Sequence, residues 1–567
     1  MSGSREAHHN DRAVAGLDQL AGYNAGWFRA DVLAGVTVTA YLVPQCLAYA
    51  GLAGVTPITG LWVAVVAMLA YAVLGTSRLL SVGPDATTAI MVAAAVSPLA
   101  AGDPVRYVAL SAGLAVLVGL VCIGAFALRL GFVADLLSQP ILVGYMAGVA
   151  VIMIASQLGT LSGVTLSASS TVGKAVELAG RLDEVQPLTL VLGLGAATFL
   201  LVLRRIAPLA PGSLLAVIGA AAVVAVFGLE SHGITLVGPV PGGLPTPGLP
   251  GLGIGDVMAL AGSAAAITFV GYSDVALTGR AFAARNGETI DANREFLALG
   301  TANVLSGLTG GFVVTGSSSR TAIVDAMRAR SQVAGVVAAA AVVIVVLAVP
   351  GLIALIPRAA LGGIVVFAAL RLIDVQGLRR LAGFRSSELG LAIAALVGVL
   401  LFDVLAGILI AMALSVLELF ARVARPPAAV LGRVPGLAGL HNIEDYPDAQ
   451  QVPGLLVFRY DAPLCFANAQ DFRTRALAAV DSQAVPVEWF LLNAEAIVEL
   501  DMTAADAMRE LAHDLEARGV VFAMARVKQD LRAQLARGGL LGILDEDRMY
   551  PTLPVAVEAF EHRGSRP

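Results

Sequence analysis

The sequence predicts a polytopic α-helical membrane protein of about fourteen transmembrane segments, followed by a smaller α/β domain outside the bilayer. Three observations predict it. Of 567 residues, 57% are hydrophobic and 14% charged, whereas a soluble domain carries about a quarter charged residues. Apolar stretches recur from Val32 to about Leu419, while the sequence after about Leu440 reads as an ordinary soluble protein. Arginines gather in alternate connections between those stretches.

In chain order, residues 1–30 are polar, with His8, His9, Arg12 and Arg29, and have no apolar core ending in small residues. They are expected to be a cytoplasmic tail, not a cleaved signal peptide. Residues 31–425 form the membrane domain, 426–440 a linker with Gly432, Gly436 and Gly439, and 441–567 the soluble domain. A crossing helix needs about 20 apolar residues. Such stretches lie near 32–50, 55–75, 86–101, 107–128, 136–160, 187–203 and 213–229, then near 256–279, 295–310, 319–327, 333–356, 360–373, 387–402 and 404–421. Those at 86–101 and 319–327 are too short to cross unaided.

Arginine placement orients them. With the N-terminus inside, inward connections hold Arg78, Arg129, Arg204, Arg205, Arg280, Arg285 and Arg294, and later Arg328, Arg330, Arg371, Arg379, Arg380, Arg385, Arg422 and Arg425. Outward ones keep Arg106, Lys174, Arg181 and Arg358. This bias predicts an even number of spans, with both termini cytoplasmic and the chain in the inner (plasma) membrane.

The two short spans follow segments rich in glycine, serine, threonine or proline: Ser81-Val82-Gly83-Pro84-Asp85, and Gly310 to Ser317. One is third in the first half and the other third in the second, which points to an inverted repeat of seven plus seven spans. Non-helical backbone survives at membrane depth only inside protein or beside a wet cavity. A half-helix starting there aims free N–H groups and a positive dipole end into that cavity, so two such ends make an anion site.

The net charge of −5 argues against nucleic acid as a partner. Cys46, Cys122 and Cys465 are far apart, have no metal-ligand spacing and are expected to be packed, unpaired thiols.

Several motifs carry a family resemblance. The run Asp31 to Thr37, then Pro44-Gln45-Cys46-Leu47-Ala48-Tyr49-Ala50, resembles the first-span signature of the SulP (sulfate permease) anion transporters. Gly75-Thr76-Ser77-Arg78 with Ser81 to Ala86 is similar to the approach to their third span, and Ala292-Asn293-Arg294-Glu295 with Thr315 to Ala322 to the approach to their tenth. The C-terminal part resembles a STAS domain. The resemblance runs in order over nearly the whole chain, with a texture nearest to actinobacterial members. It implies core and gate subdomains, an anion held between the third and tenth segments, homodimers, and STAS domains acting in assembly or regulation, with a cytoplasmic protein as a further candidate partner.

Gln45 and Tyr49, four apart, share one face of the first span. The resemblance places a glutamine and an aromatic here beside the anion; interhelical packing is the plainer role. Pro44 should bend this helix and open that face. Asp85 and Ala86 begin the third span. Asp85 suits a helix cap pointing away from the anion, or a proton carrier during transport. Ser318, Ser319 and Arg320 begin the tenth span and offer N–H, hydroxyl and guanidinium donors. A buried Arg320 needs a carboxylate, an anion or water, and Asp85 and Asp274 are the candidate structural partners.

Asp274 lies inside the eighth span, where a carboxylate is expensive. The resemblance associates an acidic residue there with coupling, so H+ or Na+ is the expected co-substrate; no other cofactor and no metal centre is expected. Asp291, Asn293 and Glu295 are expected to cap, Asp31 and Asp374 to be surface-exposed at span ends, and Asp403 to lie in an outer connection.

In the soluble part, 455–460, 489–492 and 520–524 read as strands, and 504–517 and 531–541 as helices, an α/β arrangement. Asp501-Met502-Thr503 resembles the helix start that is phosphorylated in related anti-sigma antagonists. Thr503 is therefore a candidate regulatory site, with N-capping by Asp501 or Thr503 the plainer role. No catalytic triad or phosphate loop appears, so an enzyme is not expected.

The leading reading is a secondary active symporter of sulfate or a similar anion. An uncoupled exchanger or channel, a nucleobase transporter and a membrane sensor are the alternatives. Sulfate, bicarbonate, chloride and dicarboxylates all suit such donors, and the preference for sulfate comes from the resemblance.

Overall fold

The computed structural model describes residues 23, 25–132, 139–168, 170–208, 210–238, 245, 247–402 and 404–563. Asp403 and most of the expected N-terminal tail lie outside them. The chain divides into two compact units, Met1–Ser415 and Val416–Pro567.

Each of the fourteen expected stretches carries a helix. These are α1 Ala25–Leu52, α2 Pro57–Leu74, α3 Ala86–Ala100, α4 Pro104–Ala127, α5 Gln139–Ser156, α6 Pro187–Ile206 and α7 Gly212–Val226. Then come α8 Ile254–Arg285, α9 Ala292–Leu308, α10 Ser318–Ala326, α11 Val333–Ala348, α12 Arg358–Leu372, α13 Ser386–Phe402 and α14 Val404–Ala424. Proline at the first position starts α2, α4 and α6, where its missing N–H costs nothing. Leu69, Leu120, Val191, Ile344 and Leu401 are exposed, as side chains facing lipid must be. Helix α1 runs through Pro44 without a break.

Helix α10, nine residues long, rises only about 14 Å against a hydrocarbon core of about 30 Å. Helix α3 has 15 residues, but so do α7 and α12. What singles out α3 is the extended backbone before it. Strand β1, Val82–Gly83, pairs antiparallel with β2, Thr315–Gly316, in the register Val82 to Gly316 and Gly83 to Thr315. Each non-helical segment thus satisfies the other's backbone groups, which is what permits either of them inside a membrane protein.

The helices pack as two bundles. Helices α1 to α4 lie against α8 to α11, while α5 to α7 lie against α12 and α13. Helices α1 and α3 touch both, through α7 and α12. Close approach within a bundle needs small residues. A Cβ on Gly60 of α2 would stand 2.2 Å from the Cys46 carbonyl of α1, and one on Gly144 of α5 would stand 1.9 Å from the Ala392 carbonyl of α13.

Two carboxylates expected at span ends are structural anchors instead. Asp31 is fully buried and accepts from Arg330 N (2.6 Å), Ser331 Oγ (2.7 Å) and the Tyr23 hydroxyl (3.0 Å). Glu295 is also fully buried; it accepts from the Tyr71 hydroxyl (2.7 Å), from Thr76 N (2.9 Å) and from the Thr76 hydroxyl. Capping of α9 falls to Asp291, which accepts from Asn293 N and Arg294 N. Removing the Glu295 carboxylate strands buried donors on α2 and the segment after it. Glu295→Ala should therefore cost about 3 kcal/mol of stability, against about 1 kcal/mol for Asp291→Ala. Thermal unfolding of the detergent-purified protein checks this; equal losses from the two would reject the clamp.

The second unit contains a six-stranded sheet in the order β4-β3-β5-β6-β7-β8: β3 Ala428–Arg433, β4 Leu440–Asn442, β5 Leu455–Tyr460, β6 Trp489–Asn493, β7 Val521–Ala525 and β8 Met549–Tyr550. Strands β5 to β8 run parallel, and β3 is antiparallel to both β4 and β5. Strand β5 splits by parity: Leu456 and Phe458 face α15 Ala469–Asp481 and α16 Met502–Ala517, while Leu455 and Val457 face α18 Leu553–Glu561. Both faces are covered, so the central strands read as apolar runs. Helix α17, Gln529–Arg537, stops four residues short of its expected end, before Gly538-Gly539. The expected linker 426–440 is partly structured, because β3 and the first residue of β4 fall within it. All three cysteines are free, Cys46 and Cys122 buried and Cys465 half-buried.

Candidate functional site

The β1–β2 pair brings the starts of α3 and α10 together, and side chains reinforce the join. Ser317 N donates to the Ser81 carbonyl (2.9 Å), and Ser81 N donates to Thr321 Oγ1 (3.1 Å). Asp85 caps α3: its carboxylate accepts from Thr87 N at 3.0 Å. This is the helix-capping contact that its position suggested. Ala86 is buried behind it, and Ser317 stands at the N-cap of α10.

Arg320 crosses this junction from α10. The side chain is fully buried, with Nε donating to Ser81 Oγ (3.3 Å) and Nη1 to the Pro84 carbonyl (2.9 Å). The buried Nη2 has no hydrogen-bond partner. Among the described residues no carboxylate lies within ion-pair distance of Arg320, so neither Asp85 nor Asp274 serves as the structural counter-ion. A buried cation held by one carbonyl and one hydroxyl, with a donor to spare, has no carboxylate bonded to it directly. An oxyanion accepting from Nη2 would supply negative charge there through a charge-assisted bond.

A cavity of about 200 Å³ opens beside this junction. Gln45 and Ser319 lie on its wall, together with Tyr41, Ser213, Arg204 and Arg371. The Gln45 Oε1 atom is buried without a partner. Since the amide can be turned to present its nitrogen, this end of Gln45 is free to bind as donor or acceptor. Tyr41 donates its hydroxyl to the Ala210 carbonyl, joining α1 to the α6–α7 connection. Sequence reasoning placed Arg204 and Arg371 among the inward charges and passed over Tyr41. Its position, four residues before Gln45 on the same helix face, was the available signal.

The other expected residues are placed as follows. Tyr49 is buried one turn beyond Gln45 on α1. Ser318 is exposed, and Ser319 half-buried with its hydroxyl 3.2 Å from that of Ser317. Asp274 is half-buried on α8, three residues from Gly271, whose carbonyl accepts from Thr315 Oγ1 of β2 (2.8 Å). Tyr49, Ala86, Arg320 and Asp274 are not on the cavity wall. Thr503 lies in the other unit, exposed in the first turn of α16. The cap there is Asp501, which accepts from Ala504 N (2.8 Å) and also from Phe466 N (2.6 Å). Among the described residues no three His, Cys, Asp or Glu side chains gather as a metal site.

Comparison with known proteins adds what geometry cannot. Residues 28–395 match the pattern of the sulfate permease family, and residues 446–556 that of the STAS domain. A probable sulfate transporter of Mycobacterium tuberculosis is 52% identical, over 97% of this chain and 98% of its own length. A probable sulfate transporter of Arabidopsis thaliana is 30% identical, over 95% of this chain and 82% of its own. Among solved structures, the murine Solute Carrier 26 family member A9 anion transporter in the inward-facing state superposes with a TM-score of 0.89 at 21% identity, covering 99% of this chain and 97% of that one. The transmembrane domain of a cyanobacterium bicarbonate transporter gives 0.62 at 24% identity, covering 68% of this chain and 98% of its own. At those identities the structural likeness speaks to the fold.

Proposed function

Because this chain belongs to the sulfate permease family, we propose that it is a secondary active transporter of small oxyanions, with sulfate as substrate and a proton or sodium ion as driving partner. The observation that carries the reading is the unpartnered Nη2 of Arg320 beside the paired starts of α3 and α10. Arg320 would take one substrate oxygen, with the N–H groups and hydroxyls that open α10 taking others. Gln45 and Tyr49 would line the other side. Asp274 would carry the coupling ion, either by exchanging a proton or by lending its oxygens to sodium. The two bundles would act as core and gate in a seven-plus-seven inverted repeat, alternating access to the anion.

The arginine bias supports an inner-membrane orientation with both termini cytoplasmic, and the resemblance supports a homodimer. In that orientation the cavity holding Arg204 and Arg371 faces inward, where its positive charge would concentrate anions at the inner mouth. The STAS domain would regulate or assemble the protein, with Thr503 exposed as a candidate phosphorylation site. Ending the chain after Arg425, ahead of β3, should leave at least one tenth of the transport rate if that role is regulatory. Complete loss from a normally inserted protein would make the domain part of the transport cycle.

The deciding experiment is uptake of labelled sulfate into proteoliposomes under an inward proton gradient, an inward sodium gradient or neither, with bicarbonate and succinate as competitors. Accumulation under one gradient establishes symport and its ion. Uptake of a competitor without sulfate flux would overturn the substrate. Flux that follows voltage alone would indicate an uncoupled pathway, and no flux of any anion would favour a sensor.

A further inference from the structure

The short helix Val375–Phe384 stands outside the transport machinery. Two residues separate it from α12 and one from α13, so both of its ends are tied to spans, at the end of α12 where the inward arginines gather. Asp374, an expected surface residue, fixes its start by accepting from Gly377 N at 2.8 Å. Apolar residues recur along it every three positions: Val375, Leu378, Leu381 and Phe384. The middle two are half-buried, and the helix packs on α5 and α13. Val375 and Phe384 are left 49% and 72% exposed.

Alongside this stripe stand Arg379, Arg380 and Arg385, all exposed. Among the described residues none of the three lies within ion-pair distance of a carboxylate. Arginines of the soluble unit behave differently: Arg433, Arg473, Arg532 and Arg563 are each paired, with Glu561, Asp514, Glu546 and Glu488. The linking helix therefore offers unneutralised positive charge next to bare apolar surface, at a place the chain ties to the ends of two spans.

We infer that the helix Val375–Phe384 is a docking site for anionic phospholipids, whose headgroups meet Arg379, Arg380 and Arg385 while their chains cover Val375 and Phe384. An inorganic anion would answer the arginines and leave the apolar side chains bare. A zwitterionic lipid would cover the apolar side chains without a net charge for the arginines. A basic amphipathic surface at the interface binds by both terms together. The inference uses the proposed orientation only to assign the leaflet, the inward one, and requires no transport.

The test is binding of phosphatidylglycerol and of phosphatidylcholine to the full-length chain in detergent, counted by native mass spectrometry. The wild type would be compared with the combined variant Arg379→Gln, Arg380→Gln, Arg385→Gln. Each arginine near an anionic surface contributes enough that removing three should weaken phosphatidylglycerol binding by roughly 100-fold. Phosphatidylcholine binding should not change, and the wild-type preference should weaken as salt is raised. A second variant, Phe384→Ser, should weaken binding of both lipids. Phosphatidylglycerol binding reduced less than about threefold in the arginine variant would overturn the site. So would an unchanged lipid count accompanied by loss of dimer mass, which would assign this surface to a second copy of the chain. Because the readout is binding, a protein that fails to transport sulfate can still pass or fail it.

Discussion

Arg320→Ala should weaken sulfate binding and slow uptake at low sulfate by roughly 10- to 100-fold, the range expected for losing one charge-assisted hydrogen bond in a buried site. The empty protein should keep its thermal midpoint within a few degrees, and this separates a substrate ligand from a structural residue. Within the protein Arg320 is a buried cation with two neutral hydrogen-bond partners and an Nη2 that no protein group accepts from. Removing it relieves a desolvation cost while giving up those two bonds. Were the arginine there to hold α10 against α3, the same change should unfold the protein. Arg320→Lys sharpens the test. Lysine keeps the charge but has no fork with which to hold Ser81 and Pro84 and still present a third nitrogen, so much of the affinity should stay lost. Sulfate-dependent stabilisation of the purified protein measures all three; an unchanged response in Arg320→Ala would remove this residue from the site.

Asp274→Asn should abolish gradient-driven accumulation while leaving sulfate exchange across the membrane. With the membrane potential clamped, an inward proton gradient of one pH unit can support up to about tenfold accumulation per proton carried. In the variant the internal level should rise no higher than the external one under either a proton or a sodium gradient. Asparagine is close in size and keeps one carbonyl oxygen, so sulfate affinity should change less than about threefold. Full accumulation by the variant would exclude Asp274 as the coupling group. Loss of binding together with coupling would instead make it part of the anion's immediate surroundings.

How much of this was legible in the sequence depends on the length scale of each property. The fourteen helices were readable because apolar length and span-flanking arginines are local features. The two interrupted segments announced themselves through Gly83, Pro84, Gly310 and Gly311. The counter-charge of Arg320 was not readable. Asp85 and Asp274 were the obvious acids, yet the guanidinium settles on a carbonyl and a hydroxyl more than 230 residues away in sequence. Asp31 was expected to be exposed at the entry of its span and Glu295 to cap its helix; the donors that bury them come largely from segments about 300 and 220 residues distant. In the soluble unit, the central strands were visible as apolar runs. Strand β3 was missed because Pro426, Pro427 and Gly432 read as a linker, and β8 because two residues are too few to show a period. Tyr41, Arg204 and Arg371 meet on one cavity wall only after three helices have packed.

The ladder between Val82–Gly83 and Thr315–Gly316, with the Ser317–Ser81 and Ser81–Thr321 bonds beside it, staples the beginnings of α3 and α10 to each other. Donors stapled in this way travel as a unit. If they grip the anion, they grip it with the same geometry whichever compartment the site faces. The gripping donors then have no built-in sidedness. Once salt screens the arginines at the inner mouth, dissociation constants for sulfate should be equal when titrated from either side of a vesicle without gradients, and net direction belongs to the ion gradients across the membrane.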